Sequence, residues 1–309
     1  MEPIRKKECP LLMIIAGSTL GTPNRDLPEA LRLFRTAGLD AAEVIYQDDY
    51  PAAIRPSDKR SVQQAAATAA AEGVPIVALT PYTTAINSLD VTSWQEGIDE
   101  FRGCLDAAHN VGAARVRVYA GAWQPGSTNH AAHWERLRTA LSILAQEAEH
   151  ANVVLCVENH FGTMTQTAAD TARLVNEVNS PAVRVLYDQA NLTFTHDEDW
   201  QEAFAVQGDL VGHVHVKDLV FKDPDAPFRA SDTARVKAEE RAVRSRVVGT
   251  GVVPWPDIIA ELVRRGYDEV LTLEYEYRWH PQDLPDPAVG FRDSAVAIRS
   301  ILATVVSTP

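Results

Sequence analysis

Short runs of branched apolar residues alternate along this chain with longer stretches in which apolar positions recur every three or four residues. The runs are LLMIIAG, AAEVIY, PIVALT, ARVRVYAG, VVLCVEN, AVRVLYD, VGHVHVKD and EVLTLEYE. They are apolar on both faces, which predicts eight parallel strands covered by helices outside and by side chains inside. The stretches between them carry helix signals: Asp26 with Pro28 behind it, Ser93-Trp94-Gln95-Glu96 read as a capping box, and Thr167 before a further start. Gly38, Gly73 and Gly112 mark helix ends shortly before the next strand. Eight strand-then-helix units with no hairpin signal predict an α/β fold, a (β/α)8 TIM barrel, as a single domain over residues 1–309.

An open doubly wound sheet is the competing arrangement. It is disfavoured because G-S-T-L-G-T-P after the first strand lacks the spacing of either nucleotide-binding loop, and because polar residues fall at the ends of several separate strands. One segment breaks the alternation, a long loop insertion at about 219–247. Its length predicts a lid or an interaction surface, and its charged piece ARVKAEERAVRSR reads as a candidate helix.

Composition narrows the class. The chain has 309 residues, 46% of them hydrophobic, and a net charge of -13. That charge argues against a nucleic-acid or anionic-membrane partner, since phosphate binding needs a basic footprint. The apolar run Leu11 to Ala16 is too short for a secretory core or a membrane span, and MEPIRKKECP before it reads as a polar leader. Cys9, Cys104 and Cys156 show no C-x-x-C spacing and read as reduced thiols of a cytoplasmic protein.

The chemistry gathers at four consecutive strand ends: Val157-Glu158-Asn159-His160, Tyr187-Asp188-Gln189-Ala190-Asn191, His213-Val214-His215-Val216-Lys217-Asp218 and Leu273-Glu274-Tyr275-Glu276. Each places an acid or an imidazole just where a strand should emerge at the top of the barrel. Burying a carboxylate there is expensive unless something positive sits between them. Three carboxylates and one histidine converging on a point suit a divalent metal, Mn²⁺ first, with Mg²⁺, Co²⁺ or Zn²⁺ as alternatives. His213, His215 and Lys217 share a strand face, as do Glu274 and Glu276, so one of each set can be a ligand while the next reaches the substrate. Taken singly, an acid that closes a strand is most often a cap or a solvated residue, and His213 reads as readily structural as functional. Four successive strands of this kind decide for the metal. Glu43 after the second strand is a weaker candidate, and Asp48 and Asp49 read as solvated loop acids. Trp123, Trp255 and Trp279 are candidates to wall a sugar, with packing as the default for each.

These motifs, V-E-N-H, D-x-x-N, H-V-H-V-K-D and G-T-G-V-V-P-W at Gly249 to Trp255, resemble those of the sugar phosphate isomerase/epimerase family, the xylose-isomerase-like barrels. The resemblance implies metal ligation by Glu158, Asp188, His215 and Glu274, with Glu158 and Glu274 also serving as the catalytic bases. It implies a metal-dependent isomerase or epimerase of a sugar, inosose or related keto-polyol acting through an enediolate. The alternative is a lyase that expels a β-substituent from the same enediolate. His160 is then a catalytic candidate for protonating the departing group, and Lys217, Asn191 and His213 are candidate substrate contacts. The implied partner is a small-molecule carbohydrate, with a homo-oligomer or a small partner subunit left open. Two positions depart from the ketose 3-epimerases, whose further His and Arg are replaced here by Asn191 and Phe221. Endonuclease IV has additional histidines on early strands, and the first three strands here carry none.

Overall fold

The computed structural model describes residues 13–123, 126–196, 198–223, 225 and 241–307. Eleven strands are present among them: β1 (Ile14–Ser18), β2 (Ala41–Tyr46), β3 (Ala53–Ile54), β4 (Ile76–Pro81), β5 (Arg115–Val118), β6 (Val154–Glu158), β7 (Val183–Asp188), β8 (Val211–Val216), β9 (Asp218–Phe221), β10 (Val243–Arg246) and β11 (Val270–Leu273). All eight predicted strands are found, as β1, β2, β4, β5, β6, β7, β8 and β11. They pair in parallel and in chain order, and β1 pairs with both β2 and β11, which closes the barrel. β3 adds a two-residue parallel pairing to β2, Ile45 with Ala53 and Tyr46 with Ile54.

The helices are α1 (Leu27–Thr36), α2 (Lys59–Glu72), α3 (Val91–Val111), α4 (His130–Ala151), α5 (Ala168–Val178), α6 (Gln189–His196), α7 (Trp200–Gln207), α8 (Trp255–Arg264) and α9 (Pro287–Ser307). Sequence chemistry explains their limits. Asp26 accepts from Glu29 N while the Glu29 side chain returns to Asp26 N, a full capping box at the start of α1. Thr167 caps α5 by accepting from Asp170 N. The expected box at Ser93 is displaced: Asp90 is the cap of α3, accepting from Ser93 N, because its carboxylate stands three residues earlier. Gly73 and Gly112 end α2 and α3 at φ 66° and 77°, and Asn152 and Asn179 do the same for α4 and α5 at φ 54° and 51°. On α1, the apolar stripe Leu27, Ala30, Leu31, Leu33 and Phe34 is buried against the barrel. Removing Leu31 and Phe34 from water stabilises by about 1.5–3 kcal/mol each.

Two expectations change at the long connection. β9 and β10 form an antiparallel ribbon, Val243 opposite Phe221 and Arg246 opposite Asp218, so both ends of the 219–247 insertion are hydrogen-bonded strand. Val243–Arg246, expected within a candidate helix, is therefore β-structure; valine and serine at its buried positions alternate with the arginines, the period of a strand. Most of the insertion, and with it the reading as a lid or interaction surface, lies outside the described residues, as does the segment MEPIRKKECP with Cys9. Cys104 and Cys156 are buried free thiols. No described helix is long and apolar enough to cross a membrane.

Candidate metal centre at the mouth of the barrel

The parallel register fixes where each polar side chain emerges. Glu158 and Asp188 are the last residues of β6 and β7, Glu274 follows β11 directly, and His215 is opposite Asp188 on one side and Thr272 on the other. All four strands run the same way, so these residues converge on the C-terminal mouth. One ligand-type atom from each of Glu158, Asp188, His215 and Glu274 lies within 4.8 Å of the others, and all four residues are buried. His215 Nδ1 is 3.3 Å from Glu158 Oε1, 3.5 Å from Glu274 Oε2 and 4.0 Å from Asp188 Oδ2.

Two buried cations face this cluster. Lys217 Nζ stands 2.7 Å from Glu274 Oε2, 2.9 Å from Asp188 Oδ2 and 3.5 Å from Glu276 Oε1. Arg117, from β5, donates through Nε to Glu158 Oε2 at 2.5 Å, and its guanidinium lies over the rings of Tyr119 and Tyr82 at 4.4 and 5.1 Å. Beneath the cluster Glu43 from β2 meets His215 Nε2 at 3.0 Å and His213 Nε2 at 2.9 Å, and accepts from Thr80 Oγ1 at 2.6 Å.

The residues present fit a divalent cation. Among the described residues, four buried carboxylates (Glu43, Glu158, Asp188 and Glu274) face two buried cations, Arg117 and Lys217, so that with His215 neutral the fully ionised cluster carries an excess of two negative charges, the charge that one such ion would offset. His215 Nδ1 and Asp188 Oδ2 are buried atoms that make no aligned hydrogen bond, and both point into the cluster. The same imbalance governs proton affinity. Burial opposes a charge on His215, yet Glu43 and Glu274 raise its pKa well above the usual imidazole value. Burial pushes Asp188 up to about 7, with Lys217 opposing and Glu274 and Glu158 adding to the rise. Glu158 goes the other way: burial is outweighed by Arg117 and the neighbouring imidazoles, which hold it at about 2. Glu274 is likewise held well below the carboxylate range, against burial, by Lys217 and His215. The oxygen-rich donor set with one nitrogen suits a hard or borderline divalent ion.

The other sequence candidates fall in distinct places. His160 follows Glu158 by two residues, and its Nδ1 lies 2.9 Å from the Tyr119 hydroxyl and 2.6 Å from Phe161 O. Burial lowers its pKa to about 4, with Arg117 and Lys217 lowering it further against Glu158, so the ring is neutral at pH 7. Asn191 Nδ2 donates to Asn159 O at 3.1 Å and to Glu158 Oε1 at 3.4 Å, which makes it a neighbour of the carboxylate. His213 sits one layer lower, 1% exposed, between Glu43 and the Thr272 hydroxyl at 3.0 Å. Asp48 accepts from Ser57 N and Oγ on an exposed loop, and Asp49 is exposed. Trp255 is fully packed, with Nε1 donating to Lys217 O. Trp123 and Trp279, expected to pack, are 39% and 52% exposed; the first stacks on His130 and the second on Arg278.

Sequence reasoning passed over Arg117 altogether and ranked Glu43 low. The available signal was the same for both, a charged residue at an inward position of an otherwise apolar strand. The K-D and G-T-G-V-V-P-W motifs have a local explanation. Asp218 accepts from the backbone N–H groups of Gly249, Gly251 and Val253, and a Cβ on Gly251 would collide with the Asp218 carboxylate and Leu219 O. A cavity of about 40 Å³ opens beside Lys217, lined among others by Phe161, Phe194, Leu219, Ser245, Glu276 and His280. A larger groove of about 760 Å³, against Trp123, Trp134 and Arg173, contains none of the cluster residues.

Known proteins resemble this chain in sequence and in fold. Residues 31–301 match the family described as "Xylose isomerase-like TIM barrel". The chain is similar to an inosose dehydratase of Lacticaseibacillus casei, 28% identical over 143 residues, which are 46% of this chain and 47% of that protein. It thus spans about half the length of the curated relatives it matches. Among solved structures it resembles the apo 3-keto-D-glucoside 4-epimerase of E. coli, with TM-score 0.71, 18% identity and coverage of 93% of this chain and 99% of that one. It also resembles a xylose isomerase-like TIM barrel protein of Mycobacterium smegmatis in complex with magnesium, with TM-score 0.70, 18% identity and coverage of 96% and 98%. With a closed eight-stranded parallel barrel and a family match over most of its length, the chain belongs to the xylose isomerase-like TIM barrel family.

Proposed function

We propose that this protein is a divalent-metal-dependent isomerase or epimerase of a sugar, inosose or related keto-polyol. The observation that carries the reading is the buried convergence of Glu158, Asp188, His215 and Glu274 from four consecutive barrel strands, in a cluster whose carboxylates outnumber the cations beside it among the described residues. These four residues are the proposed ligands, with manganese the first choice of metal. A divalent ion held there would polarise a substrate carbonyl and its neighbouring hydroxyl, acidifying the hydrogen on the carbon between them.

The side chains then divide the work. Glu158 and Glu274 enter ionised, Glu158 at about 2 and Glu274 well below its usual value, the protonation state a general base needs, and they are the proposed acceptors of the proton from carbon. Arg117 and Lys217 hold these two carboxylates in place from opposite flanks. Lys217, raised well above the usual amine range against burial by Asp188 and Glu274, is the cation in contact with Glu274 and the proposed donor to a substrate oxygen. Asn191 orients Glu158, and the cavity of about 40 Å³ beside Lys217, walled by Phe161 and Phe194 and edged by Ser245 and Glu276, has room for a single hydroxyl-sized group of the substrate.

A lyase is the second reading, favoured by the similarity to inosose dehydratase. A ring held neutral with a pKa of about 4 does not supply an imidazolium proton at pH 7, so His160 serves here as a hydrogen-bonding group paired with Tyr119. The proposed setting is a cytoplasmic enzyme of carbohydrate metabolism, with a homo-oligomer or a small partner subunit as its assembly. Neither nucleic acid nor a membrane is a proposed partner, in keeping with the net charge of -13.

A panel of free sugars, inososes and 3-keto-glycosides in D₂O tests the proposal. Deuterium uptake and isomer formation that stop with chelator and return with Mn²⁺ are the expected result. Net loss of water or aglycone would move the assignment to the lyase, and activity unaffected by exhaustive metal removal would end both readings.

A further inference from the structure

We infer that Glu43 is a positioning residue that fixes which nitrogen of His215 faces the metal, with Thr80 and His213 as its supports; this rests on the metal-centre reading above. Glu43 is 1% exposed and stands on β2, across the barrel from the four ligand strands. A buried carboxylate costs several kcal/mol unless its oxygens are fully engaged. Here they are. Oε1 accepts from Thr80 Oγ1 at 2.6 Å and faces His215 Nε2 at 3.0 Å, while Oε2 faces His213 Nε2 at 2.9 Å. A carboxylate only accepts, so His215 carries its hydrogen on Nε2. In the neutral ring that a metal requires, Nδ1 is thereby the nitrogen with the lone pair, and this is the atom that lies 3.3–4.0 Å from Glu158, Glu274 and Asp188 without a hydrogen bond of its own. An imidazole with one nitrogen on a carboxylate and the other on a metal is both oriented and made a better donor.

The triad Glu43, His213 and His215 has the residue types of a second metal site. The contacts argue against that use. Three donors from Thr80, His213 and His215 already meet the two carboxylate oxygens at hydrogen-bond distance, and His215 Nε2 cannot hold a hydrogen for Glu43 and a metal at once. Thr272, 3.0 Å from His213 Nε2, completes a hydrogen-bonded layer beneath the metal centre.

The test measures Co²⁺ and Mn²⁺ binding to the full chain, with stoichiometry by titration and the Co²⁺ d–d spectrum as a readout of ligand geometry. The wild-type chain is expected to bind one equivalent. Glu43→Gln keeps the size but loses the charge, and should bind one equivalent about 10–100-fold more weakly with an altered d–d spectrum. Wild-type affinity and spectrum in that variant would overturn the positioning role while leaving the metal centre intact. Two equivalents on the wild type, one of them lost in Glu43→Gln, would make the triad a metal site instead. No binding by the wild type would remove the metal reading and this inference together. Should Glu43→Gln lack a cooperative thermal transition, Thr80→Val removes a single donor; several-fold weaker Co²⁺ binding supports the inference and unchanged binding overturns it.

Discussion

The two halves of the barrel contribute to the mouth in different ways. β6, β7, β8 and β11 present Glu158, Asp188, His215 and Glu274, each at or next to a strand end. β2, β4 and β5 send in Glu43, Thr80 and Arg117, each inside its strand, and each touches a ligand or supports a residue that does. The first half therefore adds supports to what the second half displays, beside Lys217 and His213 from the second half itself. Glu158 and Asp188 show what that division does: burial raises both, yet they sit at about 2 and about 7, because Arg117 from the supporting half outweighs burial for the first, whereas Lys217 is shared among Asp188, Glu274 and Glu276.

Removing a displayed base should have the largest effect. Glu158→Gln and Glu274→Gln are each expected to lower turnover by about 10²–10⁴-fold, the usual range for a lost general base. Metal retention with a near-normal rate in either variant would show that the base lies elsewhere. Next comes the supporting half. Arg117→Met leaves Glu158 buried beside an apolar chain and should destabilise the fold by about 3–5 kcal/mol, read from urea unfolding of the metal-free protein. A loss below about 1 kcal/mol would mean that the pair is solvated rather than buried.

The pH dependence separates the two carboxylates. A carboxyl raised in the folded state favours the fold below its unfolded value, here 3.8, and that contribution is lost as pH rises through about 7. A depressed one favours the fold above its unfolded value, here 4.5, and that contribution is lost as pH falls toward about 2. Metal-free protein should therefore lose stability between pH 4 and 7 through Asp188, and Asp188→Asn should flatten that slope. Over the same window Mn²⁺ affinity should rise with pH as the proton on Asp188 is displaced. A flat affinity profile would separate Asp188 from the metal. The smallest effect is expected at His160. His160→Gln should cost about ten-fold in turnover, on the order of 1.4 kcal/mol, because the ring acts as a neutral hydrogen-bonding partner of Tyr119. A thousand-fold loss of product with surviving α-proton exchange would restore it as the acid of an elimination.

The sequence by itself determined the barrel and one side of its site. Strand existence follows from short runs buried on both faces, and residues such as Val157-Glu158 and Tyr187-Asp188 mark strand ends because an apolar run stops there at an acid. Caps at Asp26 and Thr167 and the left-handed ends at Gly73 and Gly112 are local chemistry, legible within a few residues. Closure of the barrel decided the rest. Glu43 and His215 are 172 positions apart, and only the pairing of β1 with both β2 and β11 brings them within 3.0 Å. Arg117 and Glu158 are 41 apart and meet through the β5–β6 register. The neutral state of His160 likewise depends on burial and on cations from other strands. Which acid is a base, which a support and which a proton holder is set by the charges that face it across the barrel, and a linear pattern holds no record of those distances.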